Sequence, residues 1–223
     1  MAADAEFLRG IAYFSGLGPS ALESIRRLAF EKTADRAELI LFEGEPAGHL
    51  YLVASGAVKV FKTSAEGKEQ ILAIVRPGDS FNDVPVFDGG PNPASARAMS
   101  PVLLYGIRRE DMDAALRDHP QLALNVIKVL ARRLRHFVSL VEDLSFKHVI
   151  GRVARILLES AGDETGSGPR LTQQEMAAMA GTAREVVGRS LKALEEKGVI
   201  EFDRHRLVII DKEALQKIME MAS

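Results

Sequence analysis

The sequence contains no cysteine. That excludes a disulfide frame, a thiolate metal site and a cysteine-ligated iron–sulfur cluster. It also lacks any run of about 18 apolar residues, the length a membrane-spanning helix needs. The opening MAADAEFLRG does not have the basic-then-apolar order of a secretory signal. A soluble, cytoplasmic protein is therefore expected, with no membrane partner. Catalytic signatures are missing as well. There is no GxxxxGK[ST], HExxH or GxSxG, and DGGPNP at Asp88–Pro93 has adjacent glycines where a phosphate cradle needs spaced ones. An enzyme is not expected. Nor is positive charge in excess: 29 Lys+Arg stand against 31 Asp+Glu, a formal net charge of −2. Residues 145–223 hold 12 of each sign, which leaves 17 against 19 for residues 1–144. That balance argues against broad nonspecific nucleic-acid binding and leaves room for a local basic face.

The most informative stretch is LTQQEMAAMAGTAREVVGRSLK, residues 171–192. Thr172 with Glu175 forms a capping-box start, and Thr182 with Glu185 forms a second one ten residues on. Gly181 lies between them, where a tight turn needs a left-handed residue. Met176, Met179 and Ala180 give the first helix an inner face; Val186, Val187, Leu191 and Leu194 do so for the second. The outer face of the second helix carries Arg184, Glu185, Arg189 and Lys192. This is the layout of a helix-turn-helix whose second helix enters a DNA major groove. The alternative is a pair of ordinary core helices with a solvated charged face. Residues 198–211, GVIEFDRHRLVIID, favour DNA, since they read as two short strands joined by a polar turn at Arg204-His205. A two-stranded wing there makes the motif a winged helix.

At 223 residues the chain has room for two modest cores. A helical start (Ala5 to Tyr13, then Pro19 to Phe30) is followed by short apolar runs at Leu39–Phe42, Leu50–Val53, Val58–Phe61, Ile71–Val75 and Val102–Ile107. Gly44, Gly56, Gly67, Gly78 and Gly89 punctuate them at spacings of 12, 11, 11 and 11. Short strands with regular turn signals indicate a β-roll. From His119 to Phe146 there is no glycine, and Pro120 suits a first helical turn. Ala123, Ile127, Leu130, Leu134, Phe137, Val141 and Leu144 recur in steps of 4 and 3, a coiled-coil seam. The seam could pack on the roll alone. Leu122, Val126, Val129, Val138 and Leu140 add apolar surface beside it, enough to serve both the roll and a second copy. A parallel homodimer is expected, which also suits two DNA half-sites about one turn apart. The expected division is residues 1–118 for the sensor roll, 119–146 for the dimerisation helix and hinge, and 147–223 for the DNA-binding domain. The class is α+β.

This order of parts resembles the CRP/FNR family of bacterial transcription regulators. The residues carrying the resemblance are FEGEPAGHLYLVASGAVKV (Phe42–Val60), RPGD (Arg76–Asp79), ARRL (Ala131–Leu134) and REVVGR (Arg184–Arg189). The resemblance implies a cyclic-nucleotide-binding-like jelly roll, and a partner in RNA polymerase if the protein is an activator. In members like the catabolite activator, R-E-x-x-x-R reads a TGTGA half-site, and Arg184, Glu185 and Arg189 match it. The chemistry agrees. An arginine fork pairs with guanine O6 and N7, and a carboxylate accepts from the cytosine amino group. Gln173, Gln174, Thr182 and Lys192 are then candidates for phosphate contacts.

The sensing half departs from the family pattern. Asp83 takes the place of the glutamate that binds ribose, but Pro93 and Ala94 stand where cAMP-binding members have the Arg-Ser phosphate clamp. Arg97 could substitute only through a shifted loop. Phe137 and Val138 replace the Thr-Ser pair that contacts adenine, and with Leu134 they would make the cavity apolar. cAMP is not expected. The resemblance leaves open haem as a nitric oxide sensor, with His49 and His136 ahead of His119 and His148 as iron ligands, or no effector at all. The alternative function is a cyclic-nucleotide-binding regulatory module with a shifted pocket. Mechanistically, Ser145–Lys147 is expected to act as the hinge between the long helix and the DNA-binding domain.

Overall fold

A computed structural model describes residues 5–161, 171–203 and 206–221. The chain opens with α1 (Ala5–Gly10), a single 3-10 turn (Ala12–Phe14) and α2 (Pro19–Leu28). The strands follow as β1 (Ala29–Ala34), β2 (Leu39–Leu41), β3 (His49–Ser55), β4 (Val58–Thr63), β5 (Glu69–Val75) and β6 (Ser80–Phe81). After α3 (Asp83–Asp88) come β7 (Ser95–Ala98), β8 (Val102–Arg108) and α4 (Arg109–Asp118). They form two four-stranded sheets, ordered β1-β8-β3-β6 and β2-β7-β4-β5. Every apolar run expected to be a strand is one. The second helix stops two residues earlier than expected, because Ala29 and Phe30 already pair with Ile107 and Gly106 of β8. The five punctuating glycines all have positive φ. At Gly56 this is compulsory, since a Cβ there would lie 2.3 Å from the Pro101 carbonyl oxygen.

Alternation along β3 builds two cores. Leu50 and Leu52 face α1, α2, α4 and the start of the long helix α5 (Pro120–Phe146), while Tyr51 and Val53 face the roll interior with Val58, Phe81, Ala96 and Leu104. Gly106 leaves room on the interior face for the Phe30 ring, which a Cβ would strike at 2.3 Å. An aromatic file results. Phe30 meets His49 edge-on at 5.0 Å, His49 lies 5.8 Å from Tyr51, and Tyr51 stacks on Phe81 at 5.3 Å. Burial, with Lys32 and Arg108 nearby, holds the His49 imidazole below its usual pKa.

By internal contact the chain forms two compact units, Met1–Lys62 with Leu72–Arg135 and Thr63–Ile71 with His136–Ser223. The second contains α6 (Val149–Ala161), α7 (Gln173–Ala180), α8 (Arg184–Glu196), the antiparallel pair β9 (Ile200–Asp203) and β10 (Arg206–Ile209), and α9 (Lys212–Met221). Its core joins Val153 and Leu157 of α6 to Met176, Val187, Leu191, Leu194 and Leu215. The expected turn at Arg204-His205 lies outside the described residues. Helices α4, α6 and α9 were not anticipated.

The capping box of Thr172 and Glu175 is present in both directions. The second expected box, Thr182 with Glu185, does not form. Gly181 turns left-handed (φ 63°), and the Thr182 N–H then closes α7 by donating to Ala177 O at 3.0 Å. Helix α8 therefore starts one residue later than the box requires. Its N-cap is Ala183, which has extended backbone and no side chain able to cap. Val186, expected in the inner face, is only half-buried; Ser190 joins Val187, Leu191 and Leu194 there instead.

Two stability predictions follow from these local features. Ala183→Ser supplies the missing cap and should stabilise the protein by about 1 kcal/mol, read as a higher urea midpoint in the full chain. His49 titrates below its unfolded value of 6.5, so its contribution is present above that pH and is lost as pH falls through the folded pKa. His49→Phe should flatten the fall in melting temperature between about pH 7.5 and 5.5. An unchanged slope would assign that fall to other groups.

Candidate nucleic-acid interface and effector site

The face expected to read DNA is assembled by two local constraints. Buried Val187, Leu191 and Leu194 fix the rotation of α8, and the turn at Gly181 fixes its start. A Cβ at Gly181 would fall 2.8 Å from Leu144 Cδ2 and 3.2 Å from Gln70 Oε1, so the turn is both left-handed and close-packed. Arg184, Glu185, Arg189 and Lys192 are all exposed. At helical spacing, Glu185, Arg189 and Lys192 form one stripe, with Arg184 beside it at the N-terminal end. Because Thr182 does not exchange caps with Glu185, the Glu185 carboxylate is free of that role and projects from the first turn. Gln173 is half-buried where α7 crosses α8, its Oε1 3.8 Å from the position of a Cβ on Gly188. Gln174 is exposed and Thr182 half-buried beside the same turn. Lys192 meets Glu196 at 3.8 Å in solvent, a contact weak enough to be exchanged for phosphate.

Asp83 is buried and already matched on both oxygens. Tyr13 donates its hydroxyl to Oδ1 at 2.6 Å and Ser80 does so at 3.1 Å, while Arg133 of α5 ion-pairs with Oδ2. The same guanidinium donates to Ser80 O and to Ser80 Oγ. Burial pushes the Tyr13 phenol up, against the pull of Arg133, so it stays a proton donor at neutral pH. Sequence reasoning found Asp83 but missed Tyr13, Ser80 and Arg133. The one available signal was Arg133, a helical turn before Phe137.

Pro93 is exposed and Ala94 buried, and the Pro93 carbonyl accepts from Lys62 at 3.2 Å. Arg97 is not an interior group. It lies on the side of β7 opposite Ala96 and Ala98, with its guanidinium 4.8 Å from the Phe61 ring. Phe137 and Val138 are 43% and 60% exposed in the single chain. His49 sits in the aromatic file and His136 on the exposed part of α5, its ring 6.1 Å from Phe137. Among the described residues, no group of three or more His, Asp or Glu could hold a metal ion.

The long helix presents two apolar faces. Leu122, Val126 and Val129 are buried in the roll-side core, and Leu130, expected in the seam, packs against that core too. Of the large residues expected in the seam, Leu130 alone turns to the roll, while Ile127, Leu134, Phe137, Val141 and Leu144 stay exposed. The stripe left bare is Leu124, Ile127, Leu134, Val138 and Val141, with exposed Ala131 between them and Phe137 at its edge. Leu144 is turned toward Gly181.

With this geometry in hand, the likeness to known proteins is specific. The cyclic nucleotide-binding domain family matches residues 31–119, and the Crp-like helix-turn-helix domain family matches residues 151–218. A CRP-like cAMP-activated global transcriptional regulator of Mycobacterium tuberculosis is 33% identical over 219 residues, covering 95% of this chain and 98% of that one. The cyclic AMP receptor protein of Thermus thermophilus is 34% identical over 211 residues, with the same coverage. FixK2 of Bradyrhizobium japonicum superposes with a TM-score of 0.77 at 28% identity, covering 85% of this chain and 96% of that one. No described helix is long and apolar enough to cross a membrane. The roll, the long helix and the winged reading head together make this chain a DNA-binding transcription regulator of the CRP/FNR family.

Proposed function

We propose that the protein binds a TGTGA-like palindrome as a homodimer, under the control of an effector other than cAMP or of none. The observation that supports the base-reading role is the common exposed face of Arg184, Glu185 and Arg189 on a helix whose other side is locked into a core. Each arginine selects a guanine and Glu185 accepts from a cytosine amino group. Gln173, Gln174, Thr182 and Lys192 set register on the phosphates. The bare stripe on α5 supports the dimer. Ile127 and Leu134 are 62% and 66% exposed in the single chain, and large aliphatic groups in a row call for a partner.

The names of the relatives make cAMP the competing effector. The Asp83 network argues against it. Its carboxylate is taken up by the chain's own Arg133, Tyr13 and Ser80, and Pro93 and Ala94 offer no side-chain donors to a phosphate. That arrangement holds α5 to the roll without help and favours an effector-free regulator. Haem is the second reading, with His49 or His136 as the ligand to iron. His49 would have to give up its ring contacts with Phe30 and Tyr51, and His136 is the more accessible.

Two measurements test these roles. Arg184→Ala or Arg189→Ala should weaken the palindrome by about 1–3 kcal/mol and relax preference at one base pair per half-site. Equal weakening on every sequence would contradict the base-reading role. Leu134→Glu should shift the protein to monomer in sedimentation and lower palindrome affinity together. A monomer with full palindrome affinity would contradict the dimer.

A further inference from the structure

The long helix ends on a buried charge. Asp143, in the last turn of α5, is only 4% exposed, and a carboxylate so withdrawn from water needs cations against it. Lys147 Nζ lies 2.9 Å from one oxygen, and Arg155 of α6 pairs with the other. Arg155 is itself steadied by Glu159 at 2.8 Å. One turn earlier on α6, Arg152 donates to Lys147 O, just past the end of α5, and from Nε to Ala180 O at 2.8 Å. The orphan carbonyls at the C-terminal ends of two helices, α5 and α7, thus share one guanidinium. Ala180 is the last residue before the Gly181 turn that launches the recognition helix. Apolar packing would hold these helices together without fixing their rotation. Charge-assisted hydrogen bonds at fixed angles do fix it.

We infer that Asp143 is a positioning residue for palindrome recognition, which sets, through Arg155 and its neighbour Arg152, the angle at which the dimerisation helix delivers the recognition helix. This rests on the dimer-and-palindrome reading above. Asp143 touches no base and reads no sequence. Its effect is on whether two reading heads can engage two half-sites together. In a palindrome the second head binds at an effective concentration that depends on geometry, so a loosened hinge weakens the full site and spares the half-site.

The experiment uses the full chain without added ligand and three duplexes: the palindrome, one half-site with the other scrambled, and a fully scrambled control, all at one salt concentration. Asp143→Asn is the first variant. Lys147 and Arg155 keep 19% and 24% side-chain exposure, so removing the carboxylate leaves them able to find water and the fold should survive. The expected result is about a tenfold loss on the palindrome, within the usual range of coupling between sites, and no more than about a twofold change on the half-site. Asp143→Glu, which can still reach both cations, should recover most of the palindrome affinity. Equal losses on palindrome and half-site would overturn the inference, because damage to the reading domain itself moves both. An unchanged palindrome affinity would overturn it as well. If the unmodified protein bound palindrome and half-site equally, the dimer reading would fail, and this inference with it. That control is independent of the variant.

Discussion

The ion pair between Asp83 and Arg133 is the constraint on which the β-roll unit depends. One carboxylate, withdrawn from water, joins three parts of the chain: the N-terminal turn through Tyr13, the end of β6 through Ser80, and the long helix through Arg133. Loss of any partner leaves buried charge or a buried donor unmatched, so the three are held as a set. Around this point Leu122, Val126 and Val129 seat the same helix against the roll. That seating fixes the rotation of the helix against the roll and leaves Leu124, Ile127 and Leu134 exposed.

A second polar cluster governs the reading half. Asp143, Lys147, Arg152 and Arg155 bind the end of α5 to α6 and α7, beside the glycine turn that sets the recognition helix. The two clusters are alike in chemistry. Each places one buried carboxylate against donors from different elements, where apolar packing alone would leave the rotation of a helix undetermined. Exposed Leu134, Val138 and Val141 lie between Arg133 and Asp143 along the helix.

Much of this was legible in the sequence, and the parts that were not share physical causes. Glycine spacing located the turns of the roll because left-handed backbone is a local requirement, and the capping box at Thr172 is equally local. The false capping box at Thr182 failed because the closure of α7 used the Thr182 amide, a competition that pattern matching does not weigh. Leu130 was assigned to the seam because a 4–3 spacing cannot say which of two adjacent apolar stripes faces the roll. Asp83 was found by resemblance, but two of its three partners, Tyr13 and Arg133, lie 70 and 50 residues away in the chain, and no local signal couples them. The strand β7 was missed because its alanines carry too little hydrophobic contrast to show a period of two.

The most direct test of the account is equilibrium binding of the purified, ligand-free protein to a TGTGA-N6-TCACA duplex. It should be followed by anisotropy with and without cAMP, against a scrambled duplex at the same salt. The account predicts selective binding of the palindrome that cAMP leaves unchanged, because Asp83 is already occupied and positions 93 and 94 offer no side-chain donors. Selective binding that appears only on adding cAMP would contradict it.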